Sequence, residues 1–264
     1  MSTGGNTRLR VKPPGERRSV SRSAVRALDI LEYFGQVRRP LRAMEIFSAL
    51  GLHPSTANQI LKSMVESAHL VFDIRTKTYQ PSHRLARFGA WVTECYGGGP
   101  AVGEVLQDVQ AAAGEVVTLT TPNDLFMQIL DLGGSMDTEV RAERGLCVSV
   151  FGSAVGAAYL STLSDREIAW LATRARLAAP ETAEAMAQAM RVRREGFAEG
   201  PSGSGDVWSV AAPLPPHAGR VPLVLGVAGP SDRIRGRSGE LASVIQGAIS
   251  RRLRPQDGAA GRAV

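Results

Sequence analysis

Apolar residues recur at helical spacing three times in quick succession near the start of the chain. Val25, Leu28, Leu31 and Phe34 predict an amphipathic helix from Ser21 to about Gly35, opened by a serine cap and closed by glycine. Pro40 breaks the chain. Leu41 to Leu50 predicts a short second helix with Met44, Phe47 and Leu50 inward, stopped at Gly51. His53-Pro54-Ser55 starts a third, with Ile60, Leu61, Met64 and Val65 as its apolar face and its end near Ser67. The period then changes. Leu70-Val71-Phe72 and Thr78-Tyr79-Gln80 flank the turn Asp73-Ile74-Arg75-Thr76-Lys77, which is the patterning of a hairpin with a basic tip. Three short helices followed by a basic hairpin is the order of a winged helix.

Ser82 to Cys95 predicts a further helix through Leu85, Phe88, Trp91 and Val92, and Gly97-Gly98-Gly99-Pro100 is the clearest domain boundary. Beyond it the pattern is mixed. Val102 to Ala113 reads as helix; Val116 to Thr121 and Leu125 to Leu132 read as strands around the turn Pro122-Asn123-Asp124. Val140 is a candidate for another strand. Phe151 to Leu160 is a small-residue helix, and Ser164 opens the next with Glu167 completing a capping box. Thr182 to Arg194 and Gly239 to Leu253 are helical, and Val207 to Ala212 and Leu223 to Val227 are strands. The expected class is α+β: an N-terminal winged helix-turn-helix, a linker helix, and a C-terminal GAF- or PAS-like α/β domain with an antiparallel sheet. In residue numbers this is a disordered basic tail at 1–20, the winged helix at 21–81, the linker at 82–99, the larger domain at 100–254 and a disordered tail at 255–264.

Composition narrows the function. Hydrophobic residues at 44% and charged residues at 21% are those of a globular protein. No apolar N-terminal run reads as a signal peptide, and the most apolar stretch, Val148 to Leu160, falls short of the roughly 18 apolar residues that a bilayer needs. Cys95 and Cys147 lie far apart, and four histidines show no HxxxH spacing, so neither a metal site, a cofactor nor a disulfide framework is expected. These features point to the cytoplasm. Charge is more telling when divided. Residues 1–90 hold 15 Lys/Arg against 6 Asp/Glu, a net of +9, whereas residues 91–264 hold 16 against 19, a net of −3. A local basic field attracts the phosphate backbone of any sequence by releasing counterions. The tail cations Arg8, Arg10, Lys12, Arg17 and Arg18 alone would fit a solvated tail equally well.

In a helix-turn-helix the second helix of the motif lies in the major groove, its first turns facing base edges. Here those turns carry Ser55, Thr56, Asn58, Gln59 and Lys62. Asn and Gln pair bidentately with adenine, Ser and Thr bond phosphates or bases, and Lys62 suits phosphate. Arg22, at the start of the first helix, and Arg75 and Lys77, on the hairpin, would meet the neighbouring backbone or minor groove. Any one of these could simply be solvated. Together with the charge asymmetry and the basic hairpin they predict double-stranded DNA as partner, with a winged helix used only for dimerisation as the competing reading.

These residues resemble the isocitrate lyase regulator (IclR) family. The resemblance rests on Val25-Arg26-Ala27-Leu28-Asp29-Ile30-Leu31, on Gly51-Leu52-His53-Pro54-Ser55-Thr56-Ala57, and on Leu61 with Leu70-Val71. It continues in Ser153-Ala154-Val155-Gly156-Ala157-Ala158-Tyr159-Leu160-Ser161, in Arg193-Arg194-Glu195-Gly196-Phe197-Ala198, and in the late strands Val210 to Leu214 and Leu225 to Pro230. It spans residues 20 to 254. The resemblance implies a transcription regulator, a repressor or an activator, that binds a partly palindromic operator as a homodimer or as a homotetramer built from two dimers. It also implies control by a small-molecule effector in the C-terminal domain. Carried over by position, the effector pocket would be lined by Val148, Ala154, Val155, Glu199, Val207, Ser209, Gly226 and Ala228, with Phe151 and Trp208 as candidate aromatic walls. Three departures stand out. Gln59 replaces a common arginine, Ala157 a usual lysine, and Gly226 and Ala228 stand where carboxylate-binding members carry serines. An apolar or aromatic effector, or none, is therefore expected.

Two other classes fit parts of the sequence. Ile129-Leu130-Asp131-Leu132-Gly133-Gly134-Ser135 resembles the cofactor loop of winged-helix S-adenosylmethionine-dependent methyltransferases, although Ser135 and Asp137 occupy later glycine positions. Alternatively, the C-terminal domain only oligomerises. Nucleophilic catalysis has no support: Cys147 has no nearby His, and Ser153 lacks a Gly-x-Ser-x-Gly elbow. The protein is not expected to be an enzyme.

Overall fold

The computed structural model describes residues 11–12, 21–96, 100–134, 140, 142–202, 206–215 and 221–253. The expected disorder of 1–10, 13–20 and 255–264, and the boundary glycines 97–99, lie outside the described residues. The chain divides into two units, Arg17–Thr93 and a second formed by Glu94–Val264 with Met1–Glu16.

The first unit is built on α1 (Arg22–Val37), α2 (Ala43–Ala49) and α3 (Pro54–Glu66), followed by the hairpin β2 (Leu70–Asp73) and β3 (Thr78–Pro81). The Ser21 side chain caps α1 by accepting from the Ala24 amide, and Pro54 at the first turn of α3 costs no hydrogen bond there. Ile30, Phe34, Ile46, Phe47, Ala57, Ile60, Leu61, Met64 and Leu70 form one core. Leu41 exchanges backbone hydrogen bonds with Tyr79 and so adds a third rung to the hairpin. The expected inward faces need correction at three positions. Val25 and Leu28 point outward, Leu28 at 61% exposure, and Met44 is 67% exposed. A strict three-residue step turns backward by about 60° each time on a helix of 3.6 residues per turn. The true stripe of α1 alternates threes and fours, through Ala27, Ile30, Leu31 and Phe34.

The second unit is a seven-stranded antiparallel sheet in the order β1-β6-β5-β4-β9-β8-β7. Its strands are β1 (Val11–Lys12), β4 (Val116–Asn123), β5 (Phe126–Gly133), β6 (Cys147–Ser149), β7 (Ala198–Pro201), β8 (Val207–Pro213) and β9 (Val224–Pro230). One face is covered by α5 (Pro100–Ala113) and α10 (Ser238–Arg252), the other by α6 (Ala154–Leu160), α7 (Asp165–Ala175) and α8 (Ala179–Glu195). The split follows the period-two alternation of the strands: Val117, Leu119, Val210, Leu225 and Val227 face α5 and α10, while Ala211 and Val224 face α6. A further helix, α4 (His83–Tyr96), contains the division between the units. The capping box of Ser164 and Glu167 is present. Val140 belongs to no strand.

Val11 and Lys12, placed by the sequence in a structureless tail, instead pair with β6, Val11 opposite Val148 and Lys12 opposite Cys147. An open sheet edge recruits a ribbon through backbone hydrogen bonds, which leave no signature in side-chain composition.

Candidate nucleic-acid interface and effector cavity

The first site is the outer face of α3. Ala57, Ile60, Leu61 and Met64 bury one side of the helix, so a rotation of about 100° per residue forces Ser55, Asn58, Gln59 and Lys62 to the other, where all four are exposed. The side chains of Asn58, Gln59 and Lys62 have no hydrogen-bond or ion-pair partner among the described residues, so their side-chain donors and acceptors are free. Ser55 is partly engaged, its hydroxyl lying 2.8 Å from Nδ1 of His53. Thr56 is half-buried and, with Gln59, lines a groove against Ala24, Leu28 and Leu31 of α1. Glu66 shares the exposed face one turn after Lys62 and lowers the positive field there.

Arg22 is exposed at the start of α1. Arg75 and Lys77 project from the hairpin tip, which is held rather than loose. The Asp73 carboxylate accepts from the Arg75 amide at 2.8 Å and the Thr76 amide at 3.4 Å. Those bonds, the Arg75 amide first, keep the Asp73 carboxyl below its usual range. Phe72 and Tyr79 stack across the strands with ring centroids 4.7 Å apart.

The second site is a cavity in the larger unit. Alternate residues of four strands converge on it: Thr118 and Thr120 from β4, Ile129 from β5, Val207 and Ser209 from β8, and Ala228 from β9. Val148 of β6 and Val155 of α6 add to its wall, with Val140, Ala142, Leu146 and Ser202. The space open to the centre of a water molecule is about 40 Å3. Of the positions carried over from the family resemblance, Val148, Val155, Val207, Ser209 and Ala228 line this cavity. Gly226 lies behind it: a Cβ there would stand 3.1 Å from Val155 and 3.2 Å from the Thr118 hydroxyl, so those two side chains take the room a serine would need.

The others are placed elsewhere. Ala154 and Phe151 pack into the core beneath α6. Glu199 is exposed on β7, opposite Val210. Trp208 follows Val207 on its strand and so faces the opposite side, where it packs on the α5–α10 core with the Arg235 guanidinium 4.0 Å from its ring. Thr118, Thr120, Ile129 and Leu146 were missed by sequence reasoning. The alternation of β4 and β5 was the available signal, but nothing told which parity faced a cavity.

The hydroxyls differ in what they have left to offer. Thr120 donates to the Val224 carbonyl at 3.2 Å and Thr118 to the Gly226 carbonyl at 3.5 Å. Ser209 is 1% exposed and its hydroxyl has no partner among the described residues.

The sequence Asp131-Leu132-Gly133-Gly134 ends an antiparallel strand paired to β4. The methyltransferase reading needs that loop to lead from a parallel strand into a helix, and this geometry denies it. Among the described residues no cluster of three His, Cys, Asp or Glu could hold a metal, and no helix is long and apolar enough to cross a membrane.

Residues 23–71 match the model of the IclR helix-turn-helix domain. No curated protein matches the chain in sequence. Among solved structures, the IclR transcriptional regulator of Alicyclobacillus acidocaldarius is 20% identical with a TM-score of 0.53, over 88% of this chain and 98% of its own. IclR of Thermotoga maritima is 18% identical with a TM-score of 0.53 over the same shares. The effector domain of an IclR regulator from Acinetobacter sp. ADP1 is 20% identical with a TM-score of 0.50, over 63% of this chain and 96% of its own. Residues 23–71 are thus an IclR-type helix-turn-helix domain, and along most of its length the chain shares its fold with IclR transcriptional regulators.

Proposed function

We propose that the protein binds an operator through α3 and the β2–β3 hairpin, and that a small effector in the cavity of the larger unit changes its operator affinity. The observation that carries the first half is the outer face of α3, where Asn58, Gln59 and Lys62 stand free above a fully apolar underside. Asn58 and Gln59 read bases, and Lys62, Arg22, Arg75 and Lys77 meet phosphates. The second half is supported by the cavity in a domain that shares its fold with one described as an effector domain. Its apolar lining favours an apolar ligand. An aromatic one has no ring to stack on, because Phe151 and Trp208 belong to the two cores, and would have to part the walls.

The protein acts in the cytoplasm as a homodimer, or a pair of dimers, on a partly palindromic site. Phe88 and Trp91 support assembly: they stand side by side on α4 with centroids 5.8 Å apart and are 61% and 58% exposed. Such an aromatic pair is costly to leave in water.

Genome-wide recovery of DNA bound to the full chain tests the first half. One recurrent palindromic site, lost when Asn58 and Gln59 are replaced by alanine, is the expected result; recovery without sequence preference would refute it. The small size of the cavity favours a second reading, in which the larger unit only assembles copies. Operator affinity indifferent to every cavity ligand would establish that one.

A further inference from the structure

We infer that the cavity takes a small uncharged ligand with a carbonyl or hydroxyl group, held by Ser209, rather than a carboxylate. This rests on the effector reading of the same cavity. The Ser209 hydroxyl is buried, lines the cavity and has no partner. A buried hydroxyl left unpaired costs about 1–3 kcal/mol in proteins, so a ligand acceptor placed there recovers an existing penalty.

The neighbouring hydroxyls set the complement. The Thr120 proton is committed to the Val224 carbonyl, so toward the cavity that oxygen can only accept. Thr118 is turned the same way, toward the Gly226 carbonyl. The wall thus offers the Ser209 donor beside two acceptors, and the Ser202 hydroxyl can play either part. A group that accepts at one atom and donates at another, such as a primary amide or an alcohol, satisfies both. A carboxylate, which cannot donate, leaves the Thr118 and Thr120 acceptors unmet and sets an oxygen against their lone pairs.

Charge argues the same way. No described residue of the lining is Lys, Arg or His; apart from the hydroxyls of Thr118, Thr120, Ser202 and Ser209 the wall is Val, Ile, Leu and Ala. An anion would be stripped of water with only neutral hydroxyls in return, which disfavours burial by more than those hydrogen bonds give back. Gly226 and Ala228 add no further donor, and Val155 with Thr118 already fills the space in which a side chain at Gly226 would sit. Volume bounds the ligand to a few heavy atoms.

Isobutyramide and isobutyrate test this directly, being nearly the same shape and differing in an amide nitrogen for a charged oxygen. Binding to the full-length protein is followed by protein-observed NMR at millimolar concentrations and neutral pH. Isobutyramide is expected to titrate resonances of the cavity wall, and isobutyrate to bind at least tenfold more weakly. Ser209→Ala should weaken isobutyramide about five- to tenfold while Thr162→Ala, a hydroxyl outside the cavity, leaves it unchanged. Equal or tighter binding of isobutyrate, failure of both to bind, or an S209A variant that binds isobutyramide as well as the parent would overturn the inference. Operator affinity measured on the same samples separates it from the regulatory reading. Amide binding that leaves operator affinity unchanged upholds the ligand class and refutes effector control, whereas a response to isobutyrate alone upholds control and refutes the ligand class.

Discussion

Arg233 grips Glu115 with two nitrogens, Nε on one carboxylate oxygen and Nη2 on the other, each at 3.0 Å. Glu115 is 5% exposed and stands just before β4, while Arg233 lies in the short helix α9 (Ser231–Ile234) that follows β9. The pair therefore ties the first long strand of the sheet to the end of the last. Removing one partner of a buried pair costs about 3–5 kcal/mol, but half of Arg233 is in water and Arg237 stands 4.0 Å from the same carboxylate. Arg233→Met is expected to lower unfolding free energy by about 1–3 kcal/mol. Arg233→Lys should recover only part of that, since an ammonium cannot reproduce the fork. Urea unfolding of the two variants checks it; equal stability of all three proteins would show the contact to be idle.

Two glycines in helices should respond oppositely to alanine. A Cβ on Gly156, in α6, would stand 1.8 Å from the Val150 carbonyl oxygen, whereas nothing lies within 4 Å of one on Gly35 in α1. The loop before α6 thus presses on the helix at Gly156, and backbone has nowhere to retreat. Gly156→Ala should cost several kcal/mol or prevent folding. Gly35→Ala should stabilise by about 0.5–1 kcal/mol through helix propensity alone. Thermal unfolding reads both.

On the proposed reading of DNA, the polar face of α3 and the hairpin should divide their work. Lys62→Ala or Arg75→Ala should weaken binding to every sequence and reduce the slope of log K against log salt by about 1. Asn58→Ala or Gln59→Ala should leave that slope alone and relax preference at one or two base pairs, by about 1–3 kcal/mol each. Fluorescence anisotropy on the operator and a scrambled duplex distinguishes them. A uniform loss for all four variants would end the division of labour.

One acid-dependent contact is identifiable. Arg252 on α10 donates to both oxygens of Asp108 on α5, at 3.0 and 3.2 Å, and these bonds hold the Asp108 carboxyl below its usual range. A folded-state value below the unfolded one stabilises at pH above about 3.9 and stops doing so as pH falls through the folded value. The carboxyl resonance of Asp108 should accordingly titrate at lower pH than a free aspartate, and Arg252→Ala should move it back up. An unchanged titration in that variant would assign the shift elsewhere.

The sequence disclosed most where one physical rule acted alone. The Ser164–Glu167 box, the stop at Gly51 and the alternating strands β8 and β9 are each written in a few adjacent residues. The α3 face was equally plain, because burying Ile60, Leu61 and Met64 leaves Asn58 and Gln59 no other side. Legibility failed where partners were distant. Trp208 and Ser209 are neighbours on one strand, but only the sheet's packing decides which of them meets the cavity. Leu28 and Met44 look like core residues until the third helix is in place to leave them out. Glu199, too, needed the pairing of β7 with β8 to be seen outside the cavity.

The edge strand β1 changes what the amino terminus is. Val11 lies against Val148, a residue of the cavity wall, so the polypeptide enters the sheet of the larger unit before the winged helix begins and comes back to that unit through α4. Two lengths of chain, one on each side of the winged helix, are thereby moored to the same sheet. Deleting residues 1–20 as a dispensable cationic tail would strip a ribbon from the edge of the sheet beside the cavity wall, and a fusion placed there would alter that edge.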